Sequence, residues 1–161
     1  MSLESVRAFL ADHAPDLTIL ELPESTATVA QAAIGHGVTP AQIAKTLALR
    51  VGEQVLLLVT RGDARLDNQK AKSSFGGKAK MLPADEVATL TGHPIGGVCP
   101  FGLATPLPVY CDVSLQAFQE VLPAAGSTHS AVCISPTRMA ELTQASWVDV
   151  CQPPTPTLPA I

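Results

Sequence analysis

Aromatic residues are scarce in this 161-residue chain: they make up 4% of it, with one Trp, one Tyr and four Phe. A core must therefore rest on Val, Leu, Ile and Ala, and a hydrophobic content of 47% argues against disorder. Cysteine is sparse too, at positions 99, 111, 133 and 151. None forms a Cys-x-x-Cys pair and none stands at zinc-finger distance from a histidine, which excludes the common zinc modules. Cys111 and Cys133 sit in apolar runs and read as small core residues, so a reducing, cytoplasmic compartment is expected. No apolar run approaches a membrane span, and the first residues lack the basic-then-apolar pattern of a signal peptide. Gly-x-Ser-x-Gly, Walker, dinucleotide and His-Glu-x-x-His motifs are all missing, which removes the commonest hydrolase, nucleotide-binding and metalloprotease readings. No internal repeat is visible.

Positive charge is in the minority, with 10 Lys and Arg against 14 Asp and Glu and a net charge of -4. An acidic chain of this kind is not a nucleic-acid packaging protein, and no DNA partner is expected. Its basic residues are nevertheless concentrated: Arg61, Arg65, Lys70, Lys72, Lys78 and Lys80 fall in one twenty-residue window with only Asp63 and Asp67. That window is either a solvated connection or a local contact for a polyanion, such as one docked RNA end.

The length fits one domain over residues 1–152, followed by a Pro-rich extended tail over 153–161. Apolar spacing predicts a helix up to His13, a strand over 17–22, a helix over 28–34 closed by Gly35 and Gly37, and a short helix from Thr39-Pro40 to Ala44. Two apolar runs, 45–51 and 54–60, flank Gly52-Glu53 and read as a hairpin. Further helices are expected over 66–75, 83–90 and 136–142, a helical turn over 115–118, and strands near 81–82, 109–113, 131–134 and 147–150. Tight turns mixed with crossovers predict an α/β fold with a mixed, partly barrel-like sheet flanked by helices.

Two features carry chemistry. Gly96-Gly97-Val98-Cys99-Pro100 is a loop whose adjacent glycines can turn N–H groups toward a carbonyl oxygen or phosphate, with the proline stiffening its exit. Lys45 stands alone in an uncharged run and, by strand alternation, shares the face of Leu47, Leu49 and Val51. It is either a lysine snorkelling from a strand end or a fixed cation for a phosphate or ester carbonyl. Cys99 offers a nucleophile if His93 serves as its base, but a small loop-shaping side chain is the preferred reading. His129 precedes a strand and is a candidate for a pocket mouth; His13 and His36 read as helix-end residues. Nothing suggests a metal site or a cofactor.

Lys45-Thr46-Leu47 and the Gly-x-x-x-Pro loop, in this order and separation, resemble the YbaK/EbsC family of aminoacyl-tRNA deacylases, which includes the editing domain inserted in bacterial prolyl-tRNA synthetases. The resemblance extends from about Ser5 to Val150. It implies a YbaK-like fold and a trans-editing hydrolase that frees a small amino acid (Ala, Ser or Cys) from tRNA-Pro or a related tRNA, with aminoacyl-tRNA as substrate and prolyl-tRNA synthetase as a candidate partner. It also implies metal-independent, substrate-assisted chemistry. Lys45, Gly96 and Gly97 would then be catalytic, and Thr46, Cys99, Pro100 and His129 would contact substrate. The rival is a non-catalytic tRNA- or ligand-binding module of the same fold.

Overall fold

The computed structural model describes residues 2–152, so the expected tail over 153–161 lies outside the described residues. In chain order the elements are α1 (Ser2–His13), β1 (Ile19–Glu21), α2 (Val29–His36), β2 (Ile43–Val51), β3 (Gln54–Arg61), α3 (Asn68–Phe75), β4 (Ala79–Met81), α4 (Ala84–Thr91), β5 (Val109–Asp112), β6 (Leu122–Pro123), β7 (Ser130–Val132), α5 (Pro136–Thr143) and β8 (Ser146–Val148). Single 3-10 turns occupy Pro40–Gln42 and Val113–Ala117.

The β2–β3 hairpin is the spine. Its register pairs Lys45 with Thr60 and Val51 with Gln54, and Gly52 turns the chain at φ +61°. β3 is central: Leu56, Leu57, Leu58 and Val59 are all buried, as an apolar run covered on both faces requires. Alternation divides these residues between two cores. Leu57 and Val59 join Val6, Leu10, Phe101, Cys111 and Met139 on one face, while Leu56 and Leu58 join Leu49, Val51, Ala71 and Val150 on the other.

β3 continues into β5 and β5 into β8, both parallel. The free edge of β2 is shared by two short partners: antiparallel β4 opposite Leu49–Val51 and parallel β6 opposite Ile43 and Ala44. Residues 45–47 lie between them and have no strand partner on that edge among the described residues. Beyond β6, bridges Ala124–Ala131 and Val121–Ile134 reach the β1–β7 pair, so the sheet curls toward closure. The expected mixed, partly closed α/β architecture is thus the observed one.

Three local readings need correction. Ile43 and Ala44 belong to β2, because the 3-10 turn ends at Gln42 and β-branched Ile43 continues as strand. β6 was not foreseen; two residues with a proline leave no periodic signal. Cys133 is only partly buried and packs on a small cluster of Ala32, Ala33, Ile43 and Leu122.

Candidate active site

A cavity of about 190 Å³ opens over the unpaired edge of β2. Four separated stretches wall it: residues 26–32 from the start of α2, 43–46 from β2, 95–98 from the glycine loop, and 122–131 around β6 and β7. Most of the wall is small and apolar, including Ala27, Ala32, Ala44, Ala124 and Ala131. The polar members are Thr26, Thr28, Lys45, Thr46 and Ser130, together with the Gly96 backbone.

Lys45 and the glycine loop do meet here. Lys45 lines the cavity half-buried, and its Nζ donates to the Ala64 carbonyl oxygen at 2.6 Å, leaving two further N–H bonds on the ammonium. Burial lowers its pKa below the usual lysine value, and the nearby Arg65 guanidinium adds to this, while Cys151 and Asp63 oppose it. The two faces of β2 are both apolar, so Lys45 is the charged end of the row that begins the second core rather than of a single apolar face.

Thr46, on the opposite face of β2, presents a buried hydroxyl with no hydrogen-bond partner among the described residues. The other hydroxyls of the cavity are engaged. Thr26 Oγ1 donates to the Thr128 carbonyl, Thr28 Oγ1 accepts from Gln31 N in a capping box, and Ser130 Oγ shares a hydrogen bond with Ser127 Oγ at 2.7 Å. An unpartnered hydroxyl in a cavity wall is a place for a ligand's polar atom, since leaving it unmatched costs free energy.

Gly96 and Gly97 behave differently. Gly96 lies in the wall at φ +88°, and a Cβ there would sit 2.7 Å from the Ala27 Cβ. Gly97 lies behind it, buried: its N–H donates to the Pro94 carbonyl at 2.9 Å and its carbonyl accepts from Gly126 N. The Gly97 amide is therefore spent within the turn, and it does not line the cavity. Val98 does, and neither Gly96 N–H nor Val98 N–H has a partner among the described residues.

Three further expected contacts are not among the wall residues. Cys99 is fully buried, with its Sγ 3.6 Å from His93 Nε2. His93 is equally buried and its Nε2 bonds to the Phe101 carbonyl at 2.7 Å. Desolvation pushes the Cys99 thiol up to about 12, the reverse of what an activated nucleophile needs. Pro100 is buried beside it. His129 is exposed and outside the wall; its Nδ1 donates to the Glu24 carbonyl at 2.9 Å, helping to hold the 22–26 loop that carries Thr26. Thr26, Thr28 and Ser130 are not among the site residues expected from sequence; the capping box of Thr28 with Gln31 is seen in the structure. Among the described residues no three His, Cys, Asp or Glu side chains converge as a metal site, and no helix is long and apolar enough to cross a membrane.

A mixed, curled sheet with a small cavity built from a lysine and a glycine loop defines a class. A family model described as an aminoacyl-tRNA editing domain matches residues 23–142. The chain belongs to that family, the YbaK-type editing domains, and is an aminoacyl-tRNA deacylase by class. It is 48% identical over 154 residues to "Uncharacterized protein YwhH" of Bacillus subtilis (strain 168), covering 94% of this chain and 98% of that one. A proline–tRNA ligase of Trichlorobacter lovleyi is 31% identical over 114 residues, which is 70% of this chain but 20% of the ligase. Among solved structures, one described as "a putative trans-editing enzyme for prolyl tRNA synthetase" superposes with a TM-score of 0.87 at 35% identity, covering 94% of this chain and 98% of that one.

Proposed function

We propose that this chain releases a small, uncharged amino acid from the 3′ end of a mischarged tRNA, acting in trans and in support of proline decoding. The observation that carries the reading is the cavity: about 190 Å³, alanine-rich, with Lys45 and Gly96 in one wall. Its small, apolar lining suits a small, uncharged side chain. The ligase and trans-editing relatives support a substrate charged for proline. Small binding differences between such residues are weak discriminators, which is why a second, hydrolytic site is useful.

In the proposed step, a water oxygen bonds to the acyl carbon and the ester C–O bond to the ribose breaks. The water's proton goes to the departing ribose oxygen, and the neighbouring ribose hydroxyl positions the water. Charge gathers on the carbonyl oxygen. The N–H groups of Gly96 and Val98 and the Lys45 ammonium receive it, in place of the Gly97 amide. One such donor is worth about 3 kcal/mol in hydrolases. The remaining gain comes from orientation of an already activated ester. Cys99 takes no covalent part, and Thr46 contacts the acyl group.

The test is a panel of alanyl-, seryl-, cysteinyl- and threonyl-tRNA incubated with the purified chain. Release of a small amino acid above the uncatalysed rate is expected. Binding of charged tRNA without release from any member would replace this reading with the non-catalytic module.

A further inference from the structure

The charge of the cavity points to a property of the substrate that its size does not reveal. An aminoacyl ester carries an α-amino group, which in water at neutral pH is largely an ammonium, with a pKa of about 7.7–8.0 for an ordinary chain terminus. A site that binds the ammonium ordinarily supplies a carboxylate. None of the sixteen wall residues is Asp or Glu, and the one charged member is the cation Lys45.

The surroundings reinforce this. The N-terminal end of α2, with Thr28 as cap and Val29 as first residue, forms part of the wall and brings the positive end of the helix dipole to the cavity. Behind Lys45 stand Arg65, Asp63 and Cys151. Asp63 is ion-paired with Arg61, and the Cys151 thiol is pushed up to about 12. From the 22–26 and 127–130 loops, Glu24 offers its backbone carbonyl to His129, whose ring is turned outward. None of these elements contributes an Asp or Glu to the cavity lining. Lys45 and the α2 N-terminus bring positive potential, the Asp63 carboxylate that acts on Lys45 is held by Arg61, and no wall residue carries a carboxylate, which disfavours a second cation in the same small space.

One polar atom of the wall is left open. The Thr46 hydroxyl is buried and unpartnered, and a hydroxyl both donates and accepts. It can donate to the lone pair of a neutral amine or accept from its N–H, so it supplies a polar contact, while the charge preference comes from the missing wall carboxylate. An α-hydroxyl group offers the same donor–acceptor pair.

We propose that the cavity takes the acyl group with its α-substituent uncharged, as the free amine, and that α-hydroxyacyl esters of tRNA are therefore substrates as well. This rests on the deacylase reading above and extends it to a second chemical class of ester. The bond changes are the same in both cases: water adds to the acyl carbon, the ester bond to the ribose breaks, and an α-hydroxy acid leaves in place of the amino acid.

The experiment uses the member of the mischarged panel that the chain hydrolyses fastest. Its α-hydroxyacyl counterpart is made by nitrous acid deamination of the same charged tRNA. kcat/KM is measured for both between pH 6 and 8.5, after subtraction of the uncatalysed rates. The expected result is hydrolysis of the α-hydroxyacyl ester within about tenfold of the aminoacyl ester at the alkaline end. The ratio of aminoacyl to hydroxyacyl kcat/KM should then fall, approaching tenfold per pH unit below the amine's pKa. Because the same enzyme groups act on both esters, their titration cancels in the ratio. A ratio that stays flat or rises on acidification overturns the proposal, as does an α-hydroxyacyl ester that stays intact while the aminoacyl ester is cleaved. If no aminoacyl ester is cleaved at all, the deacylase reading fails and this inference falls with it.

Discussion

Lys45 reaches from β2 to the carbonyl oxygen of Ala64, donating a hydrogen bond of 2.6 Å across the loop that follows β3. The bond fixes a half-buried ammonium without neutralising it. Lys45→Ala should leave a folded protein and lower turnover by about 10²–10³-fold, the cost of one transition-state donor. Steady-state deacylation beside a far-UV CD melt checks both halves; near-normal turnover would remove Lys45 from the chemistry.

The same burial sets a pH limit. Its lowered pKa makes Lys45 lose its proton below the ordinary lysine value of 10.5. The sign follows for stability: the unfolded chain binds more protons in the window between the folded and unfolded pKa values, so the burial penalty on the cation fades as pH rises through it. For activity the direction is opposite, because the cation itself is lost. The wild-type rate should decline on the alkaline side below pH 10.5, and Lys45→Arg, whatever its absolute rate, should show no such limb. A pH–rate profile of the pair gives the answer.

Thr46→Val should separate stability from function. The substitution replaces an unpartnered buried hydroxyl with a methyl group of similar size. Urea denaturation is expected to show a gain of about 1 kcal/mol, while deacylation falls because the polar atom that meets the acyl group is gone. Loss of stability together with unchanged turnover would contradict the role given to this hydroxyl.

The two glycines should fail for different reasons. Gly96→Ala places a Cβ 2.7 Å from the Ala27 Cβ at φ +88°. It should cost about 1–3 kcal/mol and deform the wall. Gly97→Ala puts its Cβ 2.7–2.9 Å from the Ser127 backbone. There the 127–130 loop must shift, so stability and activity should fall together. Denaturant midpoints and kcat/KM for both variants distinguish a tolerated change from these expectations.

Cys99→Ala should keep turnover within a few-fold and cost about 1–2 kcal/mol for the small void it leaves. Alkylating reagents at neutral pH should act slowly, since the thiol is buried and pushed up to about 12. A fully folded Cys99→Ala protein without activity would restore the nucleophile.

The parts of this fold legible in the sequence are those whose signal is local. The 45–51 and 54–60 runs with Gly52 between them identify the hairpin, and Gly76 and Gly92 follow the helices expected over 66–75 and 83–90 and cap them, while the first of these starts at Asn68 because Asp67 caps it. Lys45 stood out because its neighbours are apolar, and Gly96 because two glycines adjoin. What the sequence could not show was direction. Cys99 turns inward to His93, and His129 turns outward to Glu24, because of contacts made by residues 6 and 105 positions away. Gly97 spends its amide on Pro94, a turn whose hydrogen bond depends on Gly96 adopting positive φ. Thr26 and Ser130 enter the cavity only because the 22–26 loop is bound to 128–129.

The cavity draws its walls from residues 26–32, 43–46, 95–98 and 122–131, four stretches spread over most of the chain. No fragment that ends before β7 can enclose it. With hydrolysis placed in this cavity as proposed, a nascent or clipped chain should stay catalytically silent until its last wall docks, and hydrolytic rate should double as a gauge of how completely the polypeptide has folded.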